Sequence, residues 1–540
     1  MNVSAPDQSI AESKWILALI LISALMLICT IFYPFGYDQA IFSVGGEMVL
    51  KHGAIPYRDF LDTKPPLIFY LYALSSLLFG HHEWSIRIFD LLYQLAASIY
   101  FFKILTRYFH SRTAALTVCI TILIYAGTGF WHTAQVESFA FIPSLLLLDV
   151  TLRAKEPNRS NIFTFGLFAG IASAVLFLLK FTLITGTFAS VIFILLRKKN
   201  ESNTALRYSL GLITSFVILL VGYILYLKFT GSLEYFLQNI RWVSNYAQIE
   251  PLLGRDTIAT QYFTLFPERL ISTMTLSFFV LGCAGIAVYL RNLSRDHSQP
   301  IHGLLALTWG LQLIGVLAER KMFQYQYLRA TWTFAPFIAM GIFYTLPISK
   351  KIWERLSQSK IPARTIGSML FMVIVLIAFF YSPFIKLFSQ SIPWVHIVIA
   401  DENAGVEVHK RIPDYYADEQ MSVGKYLKQR AAGNDNIFVW GNDMAIYYYA
   451  NKLPSTLCLT ATPLRTPWTP PAWQDTLIKQ MIASPPRFFI SEFGDVKSYI
   501  TGSTEDSYQA LLKWSALRDF LASNYEEDTT IGHYKIFRMK

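Results

Sequence analysis

The chain is short of charge and of cysteine. Only 15% of its 540 residues are Asp, Glu, Lys or Arg, against about a quarter in an ordinary soluble protein. That scarcity excludes a set of soluble domains, although the length alone would allow three or four. Four cysteines give no disulfide framework: Cys29, Cys119 and Cys283 fall in apolar stretches and Cys458 stands alone. No Cys/His spacing suits a metal, and no internal repeat is visible. The net charge of +10 is no nucleic-acid signal. The basic excess lies before Ser389, where membrane topology accounts for it, and the remainder is slightly acidic.

What is abundant is apolar sequence in long blocks. About 20 mostly apolar residues cross a bilayer. Blocks near that length run Trp15–Phe32, Ile86–Leu105, Ala114–Phe130, Phe139–Leu152, Ile162–Leu179, Phe181–Leu196, Leu206–Leu227, Ile271–Leu290, Gly303–Leu317, Ala330–Leu346 and Ile366–Phe388. The reading is a polytopic α-helical membrane protein with about eleven spans. The first block has no small-residue cleavage site before Tyr33-Pro34 and reads as a retained helix. A twelfth block, Pro65–Phe79, starts with twin prolines and suits a helix lying in the interface. With it outside the count, the loops 103–113, 153–161, 197–207, 291–302 and 348–365, with Lys14, carry 18 Lys and Arg on one side. Such loops stay cytoplasmic.

The N-terminus is therefore expected inside and the C-terminus outside. The chain divides into a membrane domain, 1–388, whose first outside loop is 34–85, and an extracytoplasmic α/β domain, 389–540. In the latter, Asn436–Trp440 and Arg487–Ser491 read as buried strands, Ser507–Ser523 as helix and His533–Phe537 as a closing strand.

The first outside loop holds most of the chemistry-bearing residues: Gly36-Tyr37-Asp38-Gln39, Glu47-Met48, Pro56-Tyr57-Arg58-Asp59-Phe60, Lys64-Pro65-Pro66-Leu67, Gly80 and Arg87. This set resembles the GT-C membrane glycosyltransferases that use polyprenyl-phosphate sugars, near the aminoarabinose transferases and protein O-mannosyltransferases. Lys180 at an outside turn, Gln326-Tyr327 with Pro336 following, and Val439-Trp440-Gly441-Asn442 extend the resemblance over the whole chain. Two positions depart from the family: Gln39 replaces an acidic residue, and Gln326 stands where many members have His.

The resemblance implies an inverting single displacement outside the cytoplasmic membrane, from a polyprenyl-phosphate-linked sugar to a glycan, lipid or protein acceptor, with no cofactor and no metal. Such a transfer needs one carboxylate to take the acceptor's proton. It also needs cations to meet the charge growing on the departing phosphate. Asp38 is the expected base, with Glu137 as a second acidic residue. Lys64, Arg58, Lys180 and Arg87 are candidates for the donor phosphate, and Tyr37, Glu47, Tyr57 and Tyr327 for substrate contact. Each has a plainer alternative. Asp38 and Glu137 could cap helices, Lys180 could snorkel at a helix end, Arg58 could pair with Asp59, and Arg87 could anchor its helix. Glu47 shares the face of Asp38 only loosely. Trp242, Tyr246, Tyr262 and Tyr325 could stack on sugars or belong to an interfacial belt. His81-His82 reads as a turn. Competing functions are a diphosphate-carrier oligosaccharide ligase, which should carry more than the four Lys/Arg found in 228–270, a transporter, and a non-catalytic scaffold.

Overall fold

The computed structural model describes residues 5–156, 161–196, 202–249, 261–293, 300–357 and 416–540. The expected span Ile366–Phe388 and the boundary at Ser389 lie outside the described residues.

The chain begins with α1 (Ala5–Cys29), then α2 (Tyr37–His52), α3 (Leu67–Phe79), α4 (Glu83–Leu105) and α5 (Ser111–Gly127). A short turn of helix, α6 (Val136–Phe139), leads into α7 (Phe141–Ala154) and α8 (Ile162–Leu179). Then come α9 (Thr185–Leu195), α10 (Ser202–Phe229) and α11 (Leu233–Gln248). Among the described residues, five helices are long and apolar enough to cross a membrane: Ser13–Phe32, Glu83–Leu105, Ile162–Leu179, Asn203–Phe229 and Pro300–Glu319. α1 and α10 leave Leu17, Leu21, Ile213 and Ile218 more than half exposed, as a lipid-facing surface requires. The protein is thus a multi-pass membrane protein.

Length does not by itself bring the described spans to eleven. Ser111–Gly127 and Phe181–Leu195 are shorter apolar helices. The block expected as one span over Ile271–Leu290 is broken: Phe266–Met274 and Leu276–Leu293 meet at 95°. The break is at Thr275, which takes a left-handed φ of 71°. A β-branched residue enters that region only when its surroundings hold it there. Neither Gly nor Pro marks the position.

Close helix contact is written in small residues. Gly166 and Gly170 on α8 face Gly211 and Ser215 on α10, where an added Cβ would strike the carbonyls of Tyr208 and Leu212. With no hydrophobic drive between helices in lipid, such close backbone approach supplies the packing.

α2 and α3 lie before the second long helix and pack on each other through Phe42, Phe69 and Tyr72. α3 buries Ile68, Phe69, Tyr72, Ala73 and Ser75 and exposes Leu77 and Leu78, an amphipathic arrangement that fits an interfacial helix.

The C-terminal region forms a four-stranded sheet in the order β1-β2-β4-β3, with β1 Ile437–Trp440, β2 Phe488–Glu492, β3 Tyr525–Ile531 and β4 Tyr534–Met539. β1 and β2 are parallel, and the other pairs are antiparallel. The apolar runs IFVW and FFISE are buried throughout, as strands covered on both faces should be. The helix expected over Ser507–Ser523 is two helices, Ser507–Lys513 and Ser515–Asn524. They part at Trp514, whose extended backbone lets its ring pack 5.7 Å from that of Trp440.

This domain sits on the first loop. Leu61 N donates to Leu457 O (3.0 Å), Tyr449 Oη donates to Glu83 (2.8 Å), and His81 stacks on Tyr448 at 4.2 Å. Trp242 of α11 is buried against the domain, its Nε1 donating to Thr466 (3.0 Å).

Candidate active site

Asp38 occupies the first turn of α2, and the cap position is Gly36 with extended backbone. The carboxylate of Asp38 is therefore not the cap. It lies near the positive end of the helix dipole and pairs with Lys64 Nζ at 3.1 Å. Two loop contacts aim Lys64: its N–H donates to Asp62 Oδ1 (2.8 Å), and its carbonyl accepts from Tyr57 Oη (3.0 Å). Burial opposes the charge on Lys64, but the carboxylates of Asp38 and Asp62 outweigh it and hold the ammonium above its ordinary pKa. Burial raises the Asp62 carboxyl.

The second group is built on Glu137 in α6. Its carboxylate is fully buried and meets Lys180 Nζ at 2.7 Å and Arg329 Nη2 at 2.9 Å. Lys180 also pairs with Glu319 (2.6 Å), and Glu319 pairs with Arg329. Two acids and two bases thus close a neutral ring at the outer ends of α8, Pro300–Glu319 and Leu328–Ser357. Such a ring is costly to open, because removing one member leaves a buried charge unpaired. Tyr325 stands between the two groups. Its ring lies 5.3 Å from Lys180 Nζ, and burial first, then the Asp38 and Glu137 carboxylates, hold its hydroxyl far above the ordinary range.

The other expected residues are placed as follows. Arg87 is fully buried, and its guanidinium donates to the carbonyls of Tyr33 (3.2 Å), Thr133 (3.2 Å), Phe130 (3.2 Å) and Pro34. It ties the exit of α1 to the loop before α6, and its donors are taken. Arg58 is largely exposed and forms a bidentate pair with Asp59. Glu47 is buried and pairs with Lys51 (2.6 Å) and His81 (3.2 Å). Tyr57 is buried against Phe236 (ring distance 5.2 Å) with a left-handed φ of 71°. Tyr327 is buried and donates to Phe266 O (3.2 Å), so the aromatic that this loop presents to the charged groups is Tyr325. Tyr37 lies beside Asp38, its ring 5.2 Å from Trp131. Among the described residues, no group of three His, Cys, Asp or Glu could hold a metal ion.

Gln39 explains one departure from the family pattern. Its Nε2 donates to Phe130 O (3.0 Å), Trp131 O (3.2 Å) and Thr133 O (2.7 Å), and its Oε1 accepts from Gly36 N (3.0 Å). Three carbonyls converge where a carboxylate has nothing to donate.

Sequence reasoning missed Glu319, Arg329 and Lys321. Lys321 donates to Ile249 O (3.0 Å) and Tyr499 O (3.1 Å), over the ring of Tyr246 at 4.0 Å. Burial pushes it down to about 8. Arg320 and Met322 on either side both have left-handed backbone. The only hint in the sequence was the charged run Glu319-Arg320-Lys321 at the end of an apolar block.

These features define a class of architecture: a multi-pass helical protein with an interfacial helix pair, two charged groups at one membrane surface and an α/β domain packed on its first loop. Residues 63–226 match the family model described as dolichyl-phosphate-mannose-protein mannosyltransferase, a segment that holds Lys64, Glu137 and Lys180. The chain is similar to crystal structures of ArnT from Cupriavidus metallidurans. Against the form bound to undecaprenyl phosphate the identity is 12%, the TM-score 0.58, and the coverage 99% of this chain and 98% of that one. Against the apo form the identity is 12%, the TM-score 0.61, and 98% of each chain is covered. A comparison with curated proteins finds no match. The fold is that of these ArnT structures.

Proposed function

We propose that the protein is an inverting glycosyltransferase that moves a sugar from a polyprenyl-phosphate donor to a hydroxyl acceptor on the outer side of the cytoplasmic membrane. The observation that carries this reading is the Asp38–Lys64 pair, a carboxylate and a shielded ammonium at the start of a helix beside the interfacial α3. A lipid phosphate presents itself at that level. Lys64 meets the charge that grows on the departing phosphate, while Asp38 takes the proton of the attacking hydroxyl. The ring of Glu137, Lys180, Glu319 and Arg329 lies at the outer helix ends. Lys180 reaches the phosphate only by giving up part of its pairing to the two glutamates. Arg87 and Arg58 drop out as phosphate ligands on this reading, because their donors are engaged elsewhere. The ArnT structure holding undecaprenyl phosphate and the mannosyltransferase segment match support the donor class.

The test is release of polyprenyl phosphate in proteoliposomes from a panel of radiolabelled polyprenyl-phosphate sugars, for wild type and Asp38→Asn. Loss of a general base costs roughly 10²–10⁴ in rate, so release should fall to background in the variant. Equal release by both proteins removes Asp38 from its role. No release from any donor removes the donor class.

A further inference from the structure

The C-terminal domain brings to the start of α2 a cation that the reaction scheme above does not use. Lys497 follows β2, in the segment whose next turn is Ser498–Thr501. Its Nζ lies 4.0 Å from the centroid of the Tyr37 ring, and Tyr37 is the neighbour of Asp38. Among the described residues its ammonium forms neither a hydrogen bond nor an ion pair, and its side chain is only partly buried.

The plain alternative is that Lys497 neutralises the buried acids behind it. Those acids have hydrogen-bond partners of their own, except that Asp443 Oδ1 accepts from no group among the described residues. Asp495 accepts from Arg465 (2.8 Å), Asn442 Nδ2 (3.0 Å) and the N–H and hydroxyl of Ser507 (2.6 and 2.7 Å). Glu492 accepts from Asn442 N (2.7 Å), and Asp443 from Tyr534 Oη. Burial raises the Asp443 and Glu492 carboxyls and the Lys497 charge opposes that rise, while the acids in turn hold the Lys497 ammonium above its ordinary pKa and keep it charged. The backbone carrying Lys497 is fixed from the membrane side, because Lys321 Nζ holds Tyr499 O at 3.1 Å. A positioned ammonium on an aromatic face with free donors is built to receive an anion.

Resting on the glycosyltransferase reading, we infer that Lys497, over Tyr37, binds an anionic substituent, carboxylate or phosphate, carried by the glycan that reacts at Asp38. Lys497 comes from the C-terminal α/β domain rather than from the membrane helices, so the favoured carrier is the acceptor. An anionic group on the donor sugar has the same chemistry.

The experiment uses the full chain in nanodiscs, with reductive methylation of lysines read by mass spectrometry. Undecaprenyl phosphate is the probe for the donor site. Methyl glucuronide and glucose 6-phosphate stand for an anionic acceptor, undecaprenyl-phosphate-linked glucuronic acid for an anionic donor sugar, and methyl glucoside for a neutral one. Lys497 should be labelled in the free protein and protected by an anionic probe but not by methyl glucoside; the protecting arm identifies the carrier. Lys497→Gln should raise the dissociation constant of the protecting probe about tenfold, the worth of one charge-assisted hydrogen bond, while Lys497→Arg largely restores it. Three results overturn the inference: no labelling in the free protein, no protection by any anionic probe, or equal protection by methyl glucoside. Protection of Lys64 by undecaprenyl phosphate, with Lys497 left unprotected by every anionic glycan probe, sinks this inference alone. An unprotected Lys64 counts against the donor reading instead.

Discussion

Replacing Gln39 by Glu changes one atom in the side chain and reverses what that atom can do. Gln39 is fully buried. Its amide nitrogen meets three carbonyls at 2.7–3.2 Å, so the amide orientation is fixed by its partners. A glutamate there either puts a carboxylate against those three oxygens or takes up a proton and keeps one donor. The second course is cheaper. It forfeits the remaining amide bonds, and each buried group left unsatisfied costs about 1–3 kcal/mol. Arg87 already donates to Thr133 O and Phe130 O, which limits the deficit mainly to Trp131 O and the shared geometry, so a net loss of roughly 2–4 kcal/mol is expected. Thermal unfolding of the detergent-solubilised protein reads this as a several-degree drop. The drop should shrink at acid pH, where the carboxyl is protonated without penalty. Gln39→Met serves as the control: it removes the donors without adding charge and should show no such pH dependence. Stability equal to wild type for Gln39→Glu, or an equal pH response in both variants, would refute the argument that the carbonyl nest selects an amide.

Three further outcomes follow from the packing and charges. Gly170→Leu should separate α8 from α10, since even a Cβ meets the Leu212 carbonyl; loss of the monodisperse peak in size exclusion checks it. Arg329→Met leaves Glu137 and Glu319 facing each other without their shared guanidinium, and breaking such a buried pair costs about 3–5 kcal/mol. The double change Arg329→Met with Glu319→Gln should recover part of the lost stability in thermal unfolding. Lys321 has its folded pKa near 8, depressed from 10.5 by burial. The unfolded chain therefore holds the extra proton between those values, and stability attributable to Lys321 rises as pH climbs through about 8. Lys321→Met should flatten that rise in a pH series of unfolding midpoints.

Much of the frame is legible in the sequence because apolar length is a strong signal. The block Ile162–Leu179 is a helix with those same ends, and the prolines before Leu67 separate α3 from the spans. Asp38 and Lys64, 26 residues apart with the whole of α2 between them, meet because the chain after α2 returns to the start of that helix before α3 begins. The rest depends on information that no local pattern carries. Thr275 breaks its block with a residue type that gives no warning. β3, with the sequence YEEDTTI, is a largely exposed edge strand and lacks the apolar run that marked β1 and β2. Glu319 and Arg329 are ten residues apart at two helix ends, and Glu137 is 192 residues from Arg329; only the bundle brings them together. Lys497 joins Tyr37 from a separate domain. Its lysine is one of 46 basic residues, with nothing in its neighbours to single it out.

The pairing of the site also bears on how the proposed reaction would begin. In the structure the base is masked, since an Asp38 carboxylate oxygen is held by Lys64 at 3.1 Å and must be released to meet an acceptor hydroxyl. A donor phosphate arriving at Lys64 competes for that ammonium and loosens its hold on Asp38 as it binds. Donor occupancy and the availability of the Asp38 carboxylate are then coupled through one lysine. The acceptor's hydroxyl is activated chiefly when a sugar is present to receive it. Exchanging Lys64 for Gln should therefore do two opposite things: weaken donor affinity and leave Asp38 unmasked at all times. The expected signature is a large rise in the donor KM with a smaller fall in kcat, measured in the same proteoliposome assay. A fall in kcat with KM unchanged would place Lys64 in transition-state stabilisation alone and remove the coupling.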